Sequence, residues 1–522
     1  MTVYHNWTNE ASGVTVSEQT VVHRTTLFGA MIIGALLGCG GSQAFAQEPT
    51  GAAAAQAAAP HTYRSGIRRR RTSGPPGRSL REINPQVEPA VTAPPPRPVP
   101  VGPLAPIGAA LEASGITPHL LLIDAYFNNF DMGVIKGVSS NTNLVIMGAD
   151  FDMAKLAGIQ GGSIHFLEAL LTLRQSINNA YVAYADVTAG WEPIFPYSTN
   201  QLSVLTYEQS LLDGDLTVEF GRSNPNRAFN LPVQGNLTSN WNNVWYQSAG
   251  ARVPVQGTWM ARAAYRLSPQ WYVGAGAYED NPKAALQNGT VFDTSTSTGA
   301  LALAQLGYKT DFATTAFPER YELLGFYNSS DRSNPAVSAL GRSLVFNRTD
   351  PTITRSGSAG FILNGQKVLW RADSGADRSN LTPTALVGFG TVSAAPYGIV
   401  PVTADLSGGL ILQAPDQSRP YDSYGIKIHW TQLSQNYQTF LRDANIISGG
   451  TGYFKSRNSI AYEVNSHWQL TPEISIEPTI QYFQNANNYY NPYSPKVAQD
   501  GWYFGATLVV GLGKIIGLSS GF

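Results

Sequence analysis

Residues 206–222 constrain what this chain can fold into more than any other stretch. Two strand-like runs meet at Leu212-Asp213-Gly214-Asp215, and Asp-Gly between alternating runs is the strongest short-range hairpin signal. In the second run Leu216, Val218 and Phe220 fall on one face, with Asp215, Thr217 and Glu219 on the other. Many more strands of similar length follow, rich in aromatics, and no long apolar helix appears after residue 46. An apolar face on each strand, a polar opposite face and tight turns are what a bilayer requires of a sheet. Hydrocarbon cannot satisfy an open edge, so the sheet must close. The pattern predicts an all-β chain, a closed antiparallel transmembrane β-barrel of the outer-membrane type.

Composition agrees with that expectation without deciding it. Charged residues are 13% of the chain, about half the usual soluble share, while Gly (51), Tyr (25) and Trp (10) are plentiful. A net charge of −1 argues against nucleic acid as a partner. The one cysteine, Cys39, falls in the apparent export signal, so the processed chain is expected to hold no disulfide, zinc-thiolate site or cysteine nucleophile. His61, His119, His165, His429 and His467 are scattered with no metal-ligand spacing, and neither a metal nor a cofactor is expected.

Arg24 precedes an apolar run over 27–37, and Ala44-Phe45-Ala46 supplies the small-x-small pattern of secretory cleavage. Residues 1–46 therefore read as a signal peptide, with Gln47 as the mature N-terminus. Leu36-Leu37-Gly38-Cys39 competes as a lipoprotein box, although leucine directly before the glycine fits that pattern poorly. From 47 to 106 the chain is Ala-, Arg- and Pro-rich, with Arg68-Arg69-Arg70-Arg71 and Pro94-Pro95-Pro96. Such a segment cannot bury a core and reads as a disordered periplasmic tail. Its eight Arg against three Glu give +5. That charge suits a solvated linker, with a contact to an anionic cell-wall polymer as the other reading.

Period-two alternation recurs through the expected barrel domain, 107–522. Trp259, Ala261, Ala263 and Tyr265 oppose Met260, Arg262, Ala264 and Arg266, and Tyr424, Ile426, Ile428 and Trp430 oppose Lys427, His429 and Thr431. Ile460, Tyr462, Val464 and Trp468 oppose Glu463, Asn465 and His467. Ile474, Ile476, Ile480 and Tyr482 oppose Ser475, Glu477, Thr479 and Gln481. Trp502, Phe504, Ala506, Leu508, Val510 and Leu512 form one outer row. The turns Leu267-Ser268-Pro269-Gln270 and Leu470-Thr471-Pro472-Glu473 are short, whereas 281–299, 329–357 and 371–422 read as long loops. Short turns at one end and long loops at the other match periplasmic and external faces, and about sixteen strands fit between residues 120 and 512, a size that leaves an aqueous channel. The end of the chain admits two readings: a closing strand that continues through a bulge to the aromatic Phe522, or a short plug.

Several segments go beyond a generic barrel. Gly115-Ile116-Thr117-Pro118 opens the first strand, and Asp150-Phe151-Asp152-Met153-Ala154-Lys155-Leu156-Ala157-Gly158-Ile159 follows. Glu208-Gln209-Ser210-Leu211-Leu212 then leads to Phe220-Gly221-Arg222 and Phe229. In this order they resemble the carbohydrate-selective porin family (OprB type). The resemblance implies a sixteen-stranded porin that admits glucose and other sugars by diffusion. It also implies an outer-membrane location with carbohydrate and outer-membrane lipid as partners, and leaves monomer and homo-oligomer open.

A sugar is neutral and ringed, so a pore that favours it needs fixed hydrogen-bonding side chains, aromatic faces and balanced charge. Alternation nominates Arg262, Arg266, Lys427, His429, Glu463, Glu477 and Gln481 as lumen-facing. Arg222 ranks first because Phe-Gly-Arg is the most distinctive strand end, yet strict parity points it at lipid with Phe220. An arginine near the midplane there costs about 2–4 kcal/mol. Either Gly221 forms a bulge that turns Arg222 inward, or Arg222 snorkels at the interface. No local motif pairs His429 or His467 with a nucleophile, so no catalytic residue is expected. A general or anion-selective porin, and a barrel anchoring its basic tail to the cell wall, are the competing functions.

Overall fold

The Asp-Gly turn forms as its residues require: Leu212, Asp213 and Gly214 all take positive φ (53°, 55° and 88°), and the strands on either side pair from Leu211↔Leu216 to Leu205↔Arg222. The structure is a computed structural model that describes residues 101–173, 199–229, 242–252, 255–282, 288–377 and 379–519. The export signal with Cys39 and Ala46, the tail up to residue 100, and Phe522 lie outside the described residues.

Sixteen strands close into one antiparallel barrel in sequence order. They are β1 (Ile116–Asn128), β2 (Ser139–Asp152), β3 (Gly162–Leu173), β4 (Thr199–Leu211), β5 (Leu216–Ser223), β6 (Thr258–Arg266), β7 (Trp271–Asp280) and β8 (Gly299–Lys309). The ring continues with β9 (Glu319–Ser338), β10 (Thr352–Arg371), β11 (Ala385–Tyr397), β12 (Val402–Gln413), β13 (Ser423–Leu433), β14 (Asn458–Thr471), β15 (Ile474–Gln484) and β16 (Gly501–Val510). β16 returns to β1 through pairs from Leu122↔Val510 to Asn128↔Phe504, so the ring has no free edge there.

Alternation decides which face meets lipid. Phe220, Ile426, Ile428, Val464, Ile480 and Trp502 stand exposed on the outer wall, while their strand neighbours point into the barrel and are buried. Aromatic rings gather at both rims. Trp271 and Tyr308 (ring centroids 5.1 Å apart) with Tyr321 mark the short-turn end, and Tyr482 with Trp502 (5.1 Å) marks the long-loop end. These are the girdles expected at the two membrane interfaces.

Two stretches read as loops are at least half strand. Residues 329–357 contain the end of β9 and the start of β10, which extend the wall past the long-loop rim, and 371–422 hold all of β11 and β12. Their Gly, Ser and Ala content dilutes the apolar rows, so the alternation was faint. The closing strand stops at Val510 and a helical turn, α4 (Leu512–Ile515), follows in place of a strand through a bulge. It meets α1 (Ala105–Ser114) at the short-turn end, where the Leu104 N–H donates to Ile516 O (2.8 Å). Within the Asp150–Ile159 segment lies α2 (Met153–Ala157), capped by Asp152, whose carboxylate accepts from the Ala154 N–H (3.0 Å). Lys155 Nζ then donates to Glu112 O at the end of α1 (2.9 Å). A further helix, α3 (Gln435–Ile447), lies in the long loop between β13 and β14.

Candidate constriction site

The connection from β5 to β6 builds the site. It contains a 3-10 turn, Pro225–Arg227, and a π-helical turn, Val244–Ser248. Its hydrogen bonds reach strands far around the ring. Asn242 Nδ2 donates to Ser393 Oγ on β11 (3.0 Å), the Asn243 N–H to Asp405 Oδ2 on β12 (3.1 Å), and Asn243 Nδ2 to Thr431 Oγ1 on β13 (3.3 Å). Ser248 Oγ donates to Val402 O (2.6 Å), and Asn328 Nδ2 on β9 donates to Ala249 O (2.9 Å). A segment that leaves one wall of a closed barrel and bonds to the opposite wall must cross the interior. It therefore narrows the lumen.

Apolar packing holds the crossing segment down. Trp245 is wholly buried, and with Phe229, Val244 and Ala249 it joins a core made with Tyr278, Leu301, Leu303, Leu324 and Phe326 from the inner face of β7–β9. Trp245 Nε1 donates to Asn226 Oδ1 (3.0 Å), and the Tyr246 hydroxyl donates to the same oxygen (2.9 Å), which satisfies the polar handles these large rings carry. Gly276 leaves room for Phe229: a Cβ there would sit 3.0 Å from the ring.

Charged side chains surround both feet of the segment. At the first, Arg262 Nε donates to Glu219 Oε2 (2.6 Å), Thr206 Oγ1 donates to Glu219 Oε1 (2.6 Å), and Arg227 pairs with that same carboxylate. Glu208 Oε2 lies 3.3 Å from Arg262 Nη2. Two guanidiniums thus face two carboxylates, the arrangement a buried charge needs. At the second foot His429 Nε2 stands 2.9 Å from Asp405 Oδ2, and Thr431 Oγ1 donates to that oxygen (3.0 Å).

Toward the short-turn end, Lys427 Nζ lies 3.1 Å from Glu463 Oε2, which also accepts from Gln481 Nε2 (2.6 Å). Lower on the same wall His467 Nδ1 stands 2.8 Å from Glu477 Oε1. On β1–β3 the register brings together histidines distant in sequence: His119 Nε2 and His165 Nδ1 flank Asp150 at 3.0 and 2.7 Å.

At the long-loop mouth, tyrosines close over the crossing segment. The Tyr489 hydroxyl donates to Gln247 Oε1 (3.1 Å), and Gln247 Nε2 donates to the Tyr490 oxygen (3.2 Å). Tyr437 of α3 stacks on Tyr489 with centroids 5.2 Å apart, and Arg332 Nη1 donates to Gln247 O (3.2 Å). Burial, then the neighbouring Tyr437 and Tyr490, hold the Tyr489 hydroxyl well above the ordinary tyrosine range, so it remains a neutral donor.

Of the residues nominated from sequence, Arg262, Lys427, His429, Glu463, Glu477 and Gln481 all point inward and are buried. Two stand elsewhere. Arg266 lies at the short-turn rim, bonded through Nε to Asp215 Oδ1 (2.7 Å) with its side chain 40% exposed, because it ends β6 and ties it to the β4–β5 turn. Arg222 is not turned inward by a bulge. The ladders run unbroken through Gly221 on both sides, and Arg222 pairs with Leu205 and Trp259, which are exposed on the outer wall. It is nevertheless only 1% exposed. Its guanidinium donates to Val291 O (2.8 Å) and Gly257 O (2.9 Å) and lies over the Phe292 ring, so a loop roofs it at the rim.

Sequence reasoning missed Arg227, Asp405, Asn243, Gln247 and the tyrosine cluster. Asp405 was legible: Leu406, Leu410 and Leu412 alternate with Asp405, Ser407 and Ile411, although Gly408-Gly409 interrupts the row. Arg227 lies only 8 residues from Glu219, but in a 3-10 turn where no alternation marks it, and Gln247 meets Tyr489 and Tyr490 from a loop far along the chain.

Sixteen strands closed around a lumen and narrowed by the chain's own loop have the fold of an outer-membrane porin, and the family model that matches the chain is that of a channel, not an enzyme. The family is equally plain. A model described as "Carbohydrate-selective porin, OprB family" matches residues 139–511, and the chain belongs to that family. Porin B of Pseudomonas aeruginosa is 24% identical over 365 residues, spanning 66% of this chain and 77% of that protein. The high-pH structure of Pseudomonas putida OprB covers 77% of this chain and 95% of its own, with a TM-score of 0.66 at 18% identity, and supports the fold.

Proposed function

We propose that this porin passes monosaccharides such as glucose into the periplasm by passive, saturable diffusion, with the residues around the crossing segment as its constriction. The observation that carries the reading is Glu219, shared by Arg227 and Arg262 at one foot of the segment. The guanidiniums offer several fixed donors to sugar hydroxyls, and the carboxylates offer acceptors. Because the charges offset one another, the site is polar without a dominant sign that would select ions. Tyr437, Tyr489 and Tyr490 at the mouth present aromatic surface to the apolar faces of a sugar ring. Binding stays weak, since a tight site would block flux.

Liposome swelling tests the assignment. Arg262→Lys keeps the charge and loses the planar fork, so swelling in glucose is expected to slow several-fold while ion conductance stays near wild type. Glucose swelling unchanged in both Arg262→Lys and Arg262→Ala would remove the residue from the passage.

The same reading assigns 1–46 to an export signal, 47–106 to a periplasmic tail that serves as a linker, and 107–522 to the barrel domain. Mass spectrometry of the mature protein is expected to show an unmodified N-terminal Gln47, and an acylated Cys39 would reverse this.

A further inference from the structure

The inner face of β1–β3 holds ionisable side chains that the constriction does not use. Asp150 on β2 lies between two histidines, with His119 Nε2 at 3.0 Å from Oδ2 and His165 Nδ1 at 2.7 Å from Oδ1. All three point inward and are buried. One nitrogen of each ring is occupied by Asp150. The other, Nδ1 of His119 and Nε2 of His165, is buried with no hydrogen-bonding partner among the described residues. A neutral imidazole that donates to a carboxylate leaves its second nitrogen as a bare acceptor, and that is the atom to which a proton adds. Two such atoms thus share one carboxylate.

The pair adjoins the first foot of the crossing segment. His165 is in register with Thr206 on β4, and Thr206 Oγ1 donates to Glu219 Oε1 on β5 (2.6 Å). His165 and Glu219 are near enough to interact electrostatically. Among the described residues, the charged groups around the pair are Asp150 on β2, Glu208 on β4, Glu219 on β5, Arg262 on β6 and Arg227 of the crossing segment. On the other side of β1, β16 presents Thr507 and Val509 inward. At the short-turn rim Lys155 of α2 and Lys514 of α4 donate to the carbonyls of Glu112 and Pro472, and Asp152 caps α2. Three carboxylates against two guanidiniums leave one net negative charge when both rings are neutral. One protonated ring brings balance, and two leave one net positive charge. The other inward histidines each have a carboxylate of their own, His429 with Asp405 and His467 with Glu477, so proton uptake there ends at balance.

We propose that His119 and His165 set the ion selectivity of the channel according to pH. Histidine is the side chain whose charge ordinarily changes between about pH 8 and pH 5. As acidity rises through that range, this foot of the constriction turns from net negative to net positive. The pore then turns from weakly favouring cations to weakly favouring anions, because a charge beside a narrow passage with low-dielectric walls sorts the ions that pass it. The inference rests on the foot at Glu219 lining the passage, as proposed above.

Reversal potentials in planar bilayers under a potassium chloride gradient, recorded at pH 8 and at pH 5.5, test this. The wild-type potential is expected to change sign between the two, as the anion-to-cation permeability ratio rises several-fold. The double variant His119→Asn with His165→Asn should keep the cation-favouring sign at both values, with its barrel folded as judged by the heat-dependent gel shift. Either single variant should stop near balance at pH 5.5. His429→Asn combined with His467→Asn should still change sign. A wild-type potential that keeps its sign would overturn the proposal. So would a sign change that survives in the His119/His165 double variant, or one that is lost in the His429/His467 variant. Glu219→Gln at pH 8 separates this inference from the reading beneath it, since it should move the potential toward anions. If it does so while acid leaves the wild type unmoved, the inference fails and the constriction stands. If it moves nothing, the foot is off the passage and both fail.

Discussion

The inner faces of β7–β9 and of β13–β15 belong to one barrel and have opposite chemistries. The first presents Tyr278, Leu301, Leu303, Leu324 and Phe326, and the crossing segment packs on it through Trp245 and Phe229. The second presents Lys427, His429, Glu463, Glu477 and Gln481, joined to one another by hydrogen bonds and ion pairs. The crossing segment meets the first as an apolar core and reaches β11–β13 through hydrogen bonds from Asn242 and Asn243 to Ser393, Asp405 and Thr431. The difference separates the wall that holds the constriction by apolar packing from the wall knitted together by buried ion pairs and hydrogen bonds.

The largest expected effect comes from breaking the apolar side. Trp245→Ala removes the most deeply buried ring of the crossing segment, at a cost of about 3–5 kcal/mol to its docking. The segment should then come away from β7–β9, and single-channel conductance should rise while the closed barrel persists. Unchanged conductance would mean that the segment does not limit the passage.

A smaller change sharpens the contrast from the charged side. Glu219→Gln leaves Arg227 and Arg262 without their shared carboxylate, so the reversal potential in a salt gradient should move toward anions. Leu303→Ala, on the apolar face, should leave the reversal potential unmoved. Equal shifts in the two variants would erase the distinction between the faces.

The smallest effect is a pH dependence at the long-loop mouth, outside both inner faces. Burial opposes ionisation of Asp500, but Lys455 Nζ at 2.8 Å and the Ala486 N–H at 2.9 Å outweigh it and hold the carboxyl below its ordinary range. Its folded-state value is depressed, so its contribution is complete above the unfolded value near ~4 and fades as pH falls through the folded value. Limited proteolysis of 485–500 should therefore quicken only at acid pH, with no change from pH 6 to 8.

These faces also explain what was legible in the sequence. β13–β15 announced themselves, because Ile426, Ile428 and Ile480 alternate with charged or amide residues, and the inward set followed at once. β8 did not: Leu301 and Leu303 point inward, yet Ala302, Ala304 and Leu306 are apolar as well. The period predicts a strand there without saying which face is inside. Arg222 shows the reverse case. Parity placed it outward correctly, and the loop that shelters it comes from far along the chain. The crossing segment was illegible for the same reason, since Asn242 and Asn243 reach strands β11 to β13, whose place in the ring only the closed topology fixes.

Planar-bilayer recording of the wild-type channel with glucose added to a salt solution tests the central claim most directly. A charge-balanced constriction that holds sugars weakly predicts a saturable reduction of ion current by glucose and a reversal potential near zero in a salt gradient. Strong selectivity for anions or cations with no reduction by glucose would contradict it.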